Sequence, residues 1–514
     1  MKNTLEYRSP ESLGIPSDVL YRYLETAQKE KYGLHSIILL RHGKIAMEAY
    51  FKPYEKDHTH ILYSLSKSFT STAIGFAVQE GLFSIEDRLI DFFPEKLTNA
   101  PCENMKKVKL RHLLAMASGH AEEPPVYGDT DWVKAFLQSY IEYEPGTHFT
   151  YNSAGTFMLS AVIQKVTGMS VTEYLRERLF EPLEMSKNIW WEQGPIRVES
   201  DASVLDIVSY IGLKQNRQVA EDVTAPKIDC GGFGLNVTAR DLAKFGQFYL
   251  QRGMWDGKQL LSADWIDMAT SKQVETAPAE GWGGASNWIQ GYGFQFWRCR
   301  PEGVYRGDGA FGQVCAVMPN QDAVLIFTSL INDMEHSLSV FWDEVLPAMG
   351  DPLPENADAE KKLLDLCSGL QMPVEIKTSA AVIDVNNITY TLSDNPFDWL
   401  TLKANFGKTA DILTFSTKAG DFVCTVEHGK FTDNRLPAVI PQGATENRIK
   451  AMYLDRSVSG GWVNDTTYRL YLYGTFDSTY QTVELTFGQN TVKLIGTEIG
   501  NMKDINFTVY GVSQ

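Results

Sequence analysis

Near residue 373 the apolar pattern of this chain changes period, and that change limits the folds open to it. Beyond it hydrophobic residues recur at every second position, in DILTFSTKAGDFVCTVEHGKF, YRLYLYGTF and TVELTFGQNTVKLIG, with Gly- or Asn-containing turns between the runs. Such alternation buries one face of each strand and leaves the other to water. Residues 373–514 are therefore predicted to form a separate antiparallel β domain, a sandwich or a barrel. Upstream the pattern is mixed. SIILLRHGKIAMEAYF reads as a hairpin about His42-Gly43, and a helix is expected from about Ser64 to Glu80, stopped by Gly81. Residues 104–185 read mostly as helices and loops, and DLAKFGQFYLQRG as an amphipathic helix. Residues 291–331 read as strands, GYGFQFWRC, QVCAVMP and AVLIFTSLI, with a turn at Asn320-Gln321. A Pro-rich acidic stretch at 346–362 reads as a linker entering one short helix. The predicted class is α+β, divided into residues 1–345, a linker at 346–372 and the β domain at 373–514.

Composition narrows the function. A chain of 514 residues with 44% hydrophobic residues can bury two or three cores. Its net charge of −17, with no run of Lys or Arg, repels phosphate backbones, so nucleic acid is not an expected partner. The six cysteines, at 102, 230, 299, 315, 367 and 424, form no CxxC pair and no zinc clip, and read as reduced thiols. The N-terminal MKNTLEYRSPESLGIPSD lacks the apolar core of a signal peptide. The longest apolar run near the middle, residues 323–331, is far short of a bilayer span. A cytoplasmic protein with no membrane partner is the expectation.

Several familiar motifs are absent: no GxSxG elbow, no HExxH, no Walker loop. Gly307-Asp308-Gly309-Ala310-Phe311-Gly312 matches GxGxxG but is predicted to open a strand, whereas a dinucleotide site needs it to open a helix. His58 and His60 lack a third ligand at sensible spacing, so no metal is assigned. The stretch that carries chemistry is Tyr63-Ser64-Leu65-Ser66-Lys67-Ser68, the only S-x-x-K in the chain. Ser and Lys three apart share one helix face, so the amine can reach the hydroxyl. Burial and a place in the first turn of a helix both disfavour its charged form and free it to act as a base. Further on, Tyr151-Asn152-Ser153 precedes the helical TFMLSAVIQKVTG, and the Tyr151 hydroxyl can relay a proton. Gly307-Asp308-Gly309 stands at a strand edge, where glycine lets a substrate approach backbone N–H groups.

Taken in order, these motifs resemble the serine β-lactamase and penicillin-binding superfamily in its class C and carboxylesterase-like branch. Leu113-Leu114-Ala115-Met116-Ala117-Ser118-Gly119 is similar to that family's LLxMxSG stretch, and Pro145-Gly146 and Gly312-Gln313 also fit it. The resemblance covers roughly residues 10–345. It implies a β-lactamase/transpeptidase-like domain, an antiparallel sheet flanked by helices plus an all-helical region. It implies Ser64 as nucleophile, Lys67 as its partner base, Tyr151 as general base and acid, and the backbone N–H groups of Ser64 and Ala310 as the oxyanion hole. Asn152, Ser153, Asp308, Gly309 and Trp282 are the expected substrate-binding residues. No cofactor is implied.

Two departures bear on the substrate. The family's second motif is usually Tyr-x-Asn, whereas Ser153 stands third here. The third usually begins with a cation that supports a substrate carboxylate, whereas here it is Gly307-Asp308-Gly309 with only Arg306 nearby. Similar variants occur in the family's esterases and 6-aminohexanoate-dimer hydrolases. The favoured expectation is a hydrolase of small esters or amides. A β-lactamase or D-alanyl-D-alanine peptidase is the alternative, and a non-catalytic binding protein on the same scaffold the third. The aromatics Trp282, Trp288, Tyr292, Phe294 and Trp297 are read either as a substrate wall or as core, and Trp190 and Trp191 stay undecided. The β domain is expected to pack on the hydrolase domain or to help it form a homo-oligomer.

Overall fold

A six-stranded antiparallel sheet organises the larger, N-terminal part of the chain, in strand order β3-β4-β5-β6-β1-β2. Its strands are β1 (Leu34–Arg41), β2 (Lys44–Tyr50), β3 (Trp297–Arg298), β4 (Tyr305–Gly309), β5 (Gln313–Met318) and β6 (Ala323–Ser329). The computed structural model describes residues 5–195, 226–276, 286–331, 333–377, 385–395, 397–418, 420–437, 453–475, 480–499 and 505–513. Trp282 and its neighbours Gly281, Gly283 and Gly284 lie outside the described residues. Those described fall into two compact units, one of residues 5–51, 55–195 and 226–370, the other of residues 52–54 and 371–513.

In the first unit β1 and β6 are buried along their whole length, which is why Ile37-Ile38-Leu39-Leu40 and Val324-Leu325-Ile326-Phe327 read as continuous apolar runs instead of alternating. Ile37 stands opposite both Ala49 and Phe327. The β1–β2 hairpin turns through His42 and Gly43, both at positive φ (51° and 68°), the pair a tight primed turn requires. Helix α1 (Ser17–Lys29) packs against α5 (Ala357–Gly369), while α4 (Ala239–Leu250) lies on β1, β5 and β6. The linker expected at 346–362 therefore ends in a helix that belongs to this unit.

Helix α2 (Ser66–Gln79) is buried from Ser66 to Ala77 although it is rich in hydroxyls, and each hydroxyl that bonds finds its partner on a neighbouring element or its own turn. Ser66 Oγ accepts from the Leu235 amide, Ser68 donates to the Gln295 carbonyl and Thr70 to that of Gly231. Against α2 packs α3 (Ser153–Thr167), closed by Gly168 in the left-handed region. Within GYGFQFWRC only Trp297–Arg298 is a strand. Gly291 (φ 100°) and Gln295 (φ 67°) turn the chain, and the Gln295 side chain bonds the Leu113 and Leu114 carbonyls and Thr156, so this segment bridges the helical layer to the sheet.

The second unit holds ten antiparallel strands: β7 (Thr389–Leu392), β8 (Thr401–Phe406), β9 (Ala410–Thr417), β10 (Gly420–Glu427), β11 (Thr432–Pro437), β12 (Tyr453–Trp462), β13 (Thr467–Tyr473), β14 (Tyr480–Phe487), β15 (Thr491–Ile499) and β16 (Ile505–Ser513). Their order, β10-β9-β8-β7-β16-β15-β14-β13-β12-β11, brings the first strand beside the last and leaves consecutive strands β10 and β11 as the two edges. Asn434 closes that seam, accepting from the Thr425 amide at 2.7 Å and donating to its carbonyl at 2.8 Å. Of the two β architectures expected, the nearly closed barrel is the one formed. Its interior is filled by Trp462, Tyr468, Leu485 and Leu494, and by Asp411, which accepts from Tyr468 at 2.7 Å and pairs with His428 at 3.0 Å.

Candidate active site

Ser64 sits in a 3-10 turn, Tyr63–Leu65, that runs directly into α2. Tyr63 has φ 46°, a left-handed conformation that an aromatic residue adopts only when its surroundings impose it. The surroundings are present on both sides: the Leu62 amide donates to the Leu235 carbonyl, and the Tyr63 ring meets Phe311 edge-on at 5.4 Å. Phe311 is itself at φ 62°. Two strained aromatics thus bracket the turn that presents Ser64 and the turn that follows β4.

One helical turn on, Lys67 is 1% exposed. Its Nζ lies 3.0 Å from Ser64 Oγ, 2.9 Å from Ser153 Oγ and 2.7 Å from the Gly232 carbonyl, and 4.7 Å above the Tyr151 ring. Burial pulls its pKa down to about 7, against the opposing pull of the Glu123 and Asp308 charges. Tyr151 is hydrogen-bonded to Ser64 and lies parallel to Trp297 at 5.7 Å. Burial, and next the charge of Asp308, push its hydroxyl well above the ordinary tyrosine range. Asn152 caps α3 by accepting from the Gly155 amide at 2.9 Å; its buried Nδ2 has no hydrogen-bond partner among the described residues. Ser153, the third residue of that motif, bonds Lys67.

The third motif lies along β4. Gly309 packs so tightly on the Ser64 turn that a Cβ there would come within 2.1 Å of the Leu62 carbonyl oxygen. Ala310 follows in the turn, its carbonyl held by Gln313 Nε2 at 3.0 Å. The Gly309 carbonyl, which shares a peptide plane with the Ala310 N–H, accepts from the Gly312 amide at 3.2 Å, while Gly309 keeps the turn close to Ser64. The six residues of the GxGxxG match thus end β4 and turn into β5. Asp308 is bound to Arg306, whose Nε and Nη2 lie 2.9 and 2.7 Å from Asp308 Oδ2. The Arg306 guanidinium has no exposed surface and stacks 4.5 Å over Trp288.

The structure therefore brings Ser64, Lys67, Tyr151, Ser153, Asp308, Gly309 and Ala310 together. Two participants escaped the sequence reading. Gly232 holds Lys67 through its carbonyl, and the signal was the Gly231-Gly232 pair: a Cβ on Gly232 would stand 2.8 Å from the Ser153 carbonyl oxygen. Glu123 accepts from Tyr127 at 2.8 Å and from the Ala154 amide at 2.9 Å at the start of α3; one acid in a loop carries no pattern by which to find it. Tyr292 and Trp297 are buried with Met116 and pack on Phe149, Tyr151 and Trp288, while Phe294 packs on Trp265. Trp191 is structural, its Nε1 donating to the Phe233 carbonyl at 2.7 Å. His60 is buried and bonds His35 at 2.9 Å, and among the described residues no group of three or more His, Cys, Asp or Glu is placed to hold a metal. No helix among them is long and apolar enough to cross a membrane.

The Beta-lactamase family model matches residues 25–339. The chain is 24% identical to an uncharacterized protein of Alkalihalophilus pseudofirmus over 247 residues, 46% of this chain and 65% of that protein. It is 26% identical to penicillin-binding protein 4 of Amycolatopsis lactamdurans over 57% of this chain and 80% of that protein. It is 22% identical to the 6-aminohexanoate-dimer hydrolase of Paenarthrobacter ureafaciens, over 57% and 71%. With more than half its length matched by that family model, this chain belongs to the Beta-lactamase family.

Proposed function

We propose that the chain hydrolyses small esters or amides through an acyl-enzyme on Ser64. The observation that carries this reading is the bonding of Lys67 Nζ to Ser64, Ser153 and Gly232 in a site where burial brings its pKa to about 7. A neutral amine has two N–H donors and one lone pair. The Gly232 carbonyl takes one donor and Ser153 Oγ the other, which leaves the lone pair facing the Ser64 hydroxyl. Ser64 Oγ then bonds the substrate carbonyl carbon as its proton passes to Nζ. The carbonyl oxygen, now an anion, lies towards the N–H groups of Ser64 and Ala310; one such donor stabilises the transition state by about 3 kcal/mol. The tetrahedral intermediate collapses as its bond to the leaving oxygen or nitrogen breaks. Tyr151, hydrogen-bonded to Ser64, gives its own hydroxyl proton to that atom and regains one from the Lys67 ammonium, which returns Lys67 to its neutral form. Water repeats the sequence on the acyl-enzyme and releases the acid.

Relatives of this chain are named for penicillin binding and for a 6-aminohexanoate dimer. The buried, bonded state of Arg306 supports esters and amides over penicillins, because the cation of the third motif is committed to Asp308 and the Asn287 carbonyl. The test is intact-protein mass spectrometry after a fluorophosphonate or a p-nitrophenyl ester. One adduct is expected on the wild type and none on Ser64→Ala. An adduct on both proteins, or on neither, refutes the assignment, and labelling by a fluorescent penicillin would favour the β-lactamase or peptidase reading.

A further inference from the structure

Besides Ser64, two arms hold the Lys67 amine: the Ser153 hydroxyl at the start of α3 and the Gly232 carbonyl. One carboxylate stands behind both. Glu123 accepts from the amides of Ser153 and Ala154, the latter at 2.9 Å, and so pins the turn that carries the Ser153 hydroxyl. The oxygen that takes the Ala154 amide also accepts from the Tyr127 hydroxyl at 2.8 Å. Tyr127 is buried; its ring meets Trp132 edge-on at 5.1 Å and lies 6.2 Å from Phe233, the residue after Gly232. Trp191 Nε1 fixes the Phe233 carbonyl, and Gly232 stands so close to Ser153 that a Cβ would not fit between them. The loop has little room to withdraw, because Pro124 and Pro125 fix their own φ and keep the residue before them extended. Asn152 caps α3 at Gly155 without a charge, whereas Glu123 brings a carboxylate to the amide of the residue that bonds Lys67. Among the described residues Glu123 has no ion-pair partner, and the cation that acts on it is Lys67. Lys67 in turn feels Glu123 and Asp308, of which Asp308 is bound to Arg306, and Tyr151 presents its ring to the same amine.

We propose that Glu123 is the positioning residue of the base: it holds Ser153 and the Gly232 loop against Lys67, so that the amine presents its lone pair to Ser64. The proposal rests on acylation of Ser64. A carboxylate near the amine also favours the ammonium over the neutral form, so the pH at which the base becomes available depends on Glu123.

The test follows fluorophosphonate labelling of Ser64 by timed intact-protein mass spectrometry over about pH 5 to 10. In that reaction Ser64 Oγ bonds phosphorus, its proton passes to Lys67 and fluoride leaves. The leaving group needs no proton from Tyr151, so the rate reports the base. Glu123→Ala should lower the plateau rate at high pH by about tenfold or more. Glu123→Gln should regain most of it, because the amide oxygen can still accept from Tyr127 and Ala154. The same variant should move the midpoint of the profile down by about half a pH unit or more, since the charge that favoured the ammonium is gone. A side chain that only held the fold together would leave that midpoint in place. If Glu123→Ala does not fold, the Glu123→Gln midpoint decides alone. A Glu123→Ala plateau within about threefold of the wild type, or an unmoved Glu123→Gln midpoint, would overturn the proposal while leaving acylation of Ser64 intact. Labelling of Ser64→Ala at the wild-type rate, or no labelling of either protein, would remove the nucleophile and the proposal with it.

Discussion

At the level of single residues, the proposed mechanism turns on Lys67. Its amine lost water on folding and gained three hydrogen-bond partners, and the loss of water is the larger effect, because its pKa lies near 7 and well below that of a free lysine. The base must be unprotonated, so kcat/KM should fall about tenfold per pH unit below a midpoint near 7 and level off above it. A pH–rate profile with a neutral ester checks this, and a midpoint below 5 or above 9 would assign the proton transfer elsewhere. The same displacement has a sign in stability. Between about pH 7 and the ordinary lysine value of about 10.4, the unfolded chain holds a proton that the folded one lacks, so stability rises with pH across that window, by at most about 1.4 kcal/mol per unit. Urea titrations of wild type and Lys67→Met over pH 7 to 9.5 should differ in that slope, the variant being flatter. The meeting of Ser64, Lys67 and Tyr151 was legible because their types and spacing follow the family pattern that the motifs resemble. Gly232 was not, since a carbonyl acceptor is supplied by every residue and only the shape of the loop makes this one matter.

Among the elements, the approach of β4 to the start of α2 sets the geometry. Gly307 and Gly309 allow it: a Cβ on the first would meet Ser68 Oγ at 2.6 Å, and on the second the Leu62 carbonyl oxygen at 2.1 Å. A serine hydroxyl can rotate away, whereas a backbone carbonyl already fixed in the Ser64 turn cannot. Gly309→Ala should therefore push β4 and Ala310 away from Ser64 and lower kcat/KM by about a hundredfold, with a much smaller loss from Gly307→Ala. Steady-state kinetics of the two variants measures this, and similar losses in both would mean that the close approach at Gly309 is not what places Ala310. Such elements were partly legible. Helix α2 and the β1–β2 hairpin follow from apolar spacing and turn residues, but GYGFQFWRC alternates like a strand and forms one for only two residues. There the Gln295 side chain bonds the Leu113 and Leu114 carbonyls, a tertiary commitment that alternation cannot reveal.

Over the whole molecule, Ser64, Lys67, Tyr151 and Gly309 lie in the first unit, and the barrel has a core of its own. Alternation beyond residue 373 foretold an antiparallel β unit but could not choose between sandwich and barrel, because both bury one face of every strand. The choice lies in pairings far apart in sequence: β7 beside β16, with Tyr390 opposite Ser513, and Asn434 across the β10–β11 seam. Asn434 satisfies both backbone groups of Thr425, so Asn434→Leu should leave a half-buried amide and carbonyl without this partner and destabilise the barrel by about 1 kcal/mol. If the two units hold their structure independently, the rate at which a fluorophosphonate labels Ser64 should stay at the wild-type value in that variant under native conditions. Denaturation followed by tryptophan fluorescence, with Trp399 and Trp462 reporting the barrel, gives the first quantity, and timed mass spectrometry the second. A labelling rate that falls along with barrel stability would show that acylation draws on the second unit, and the residues responsible would then have to be sought on the barrel itself.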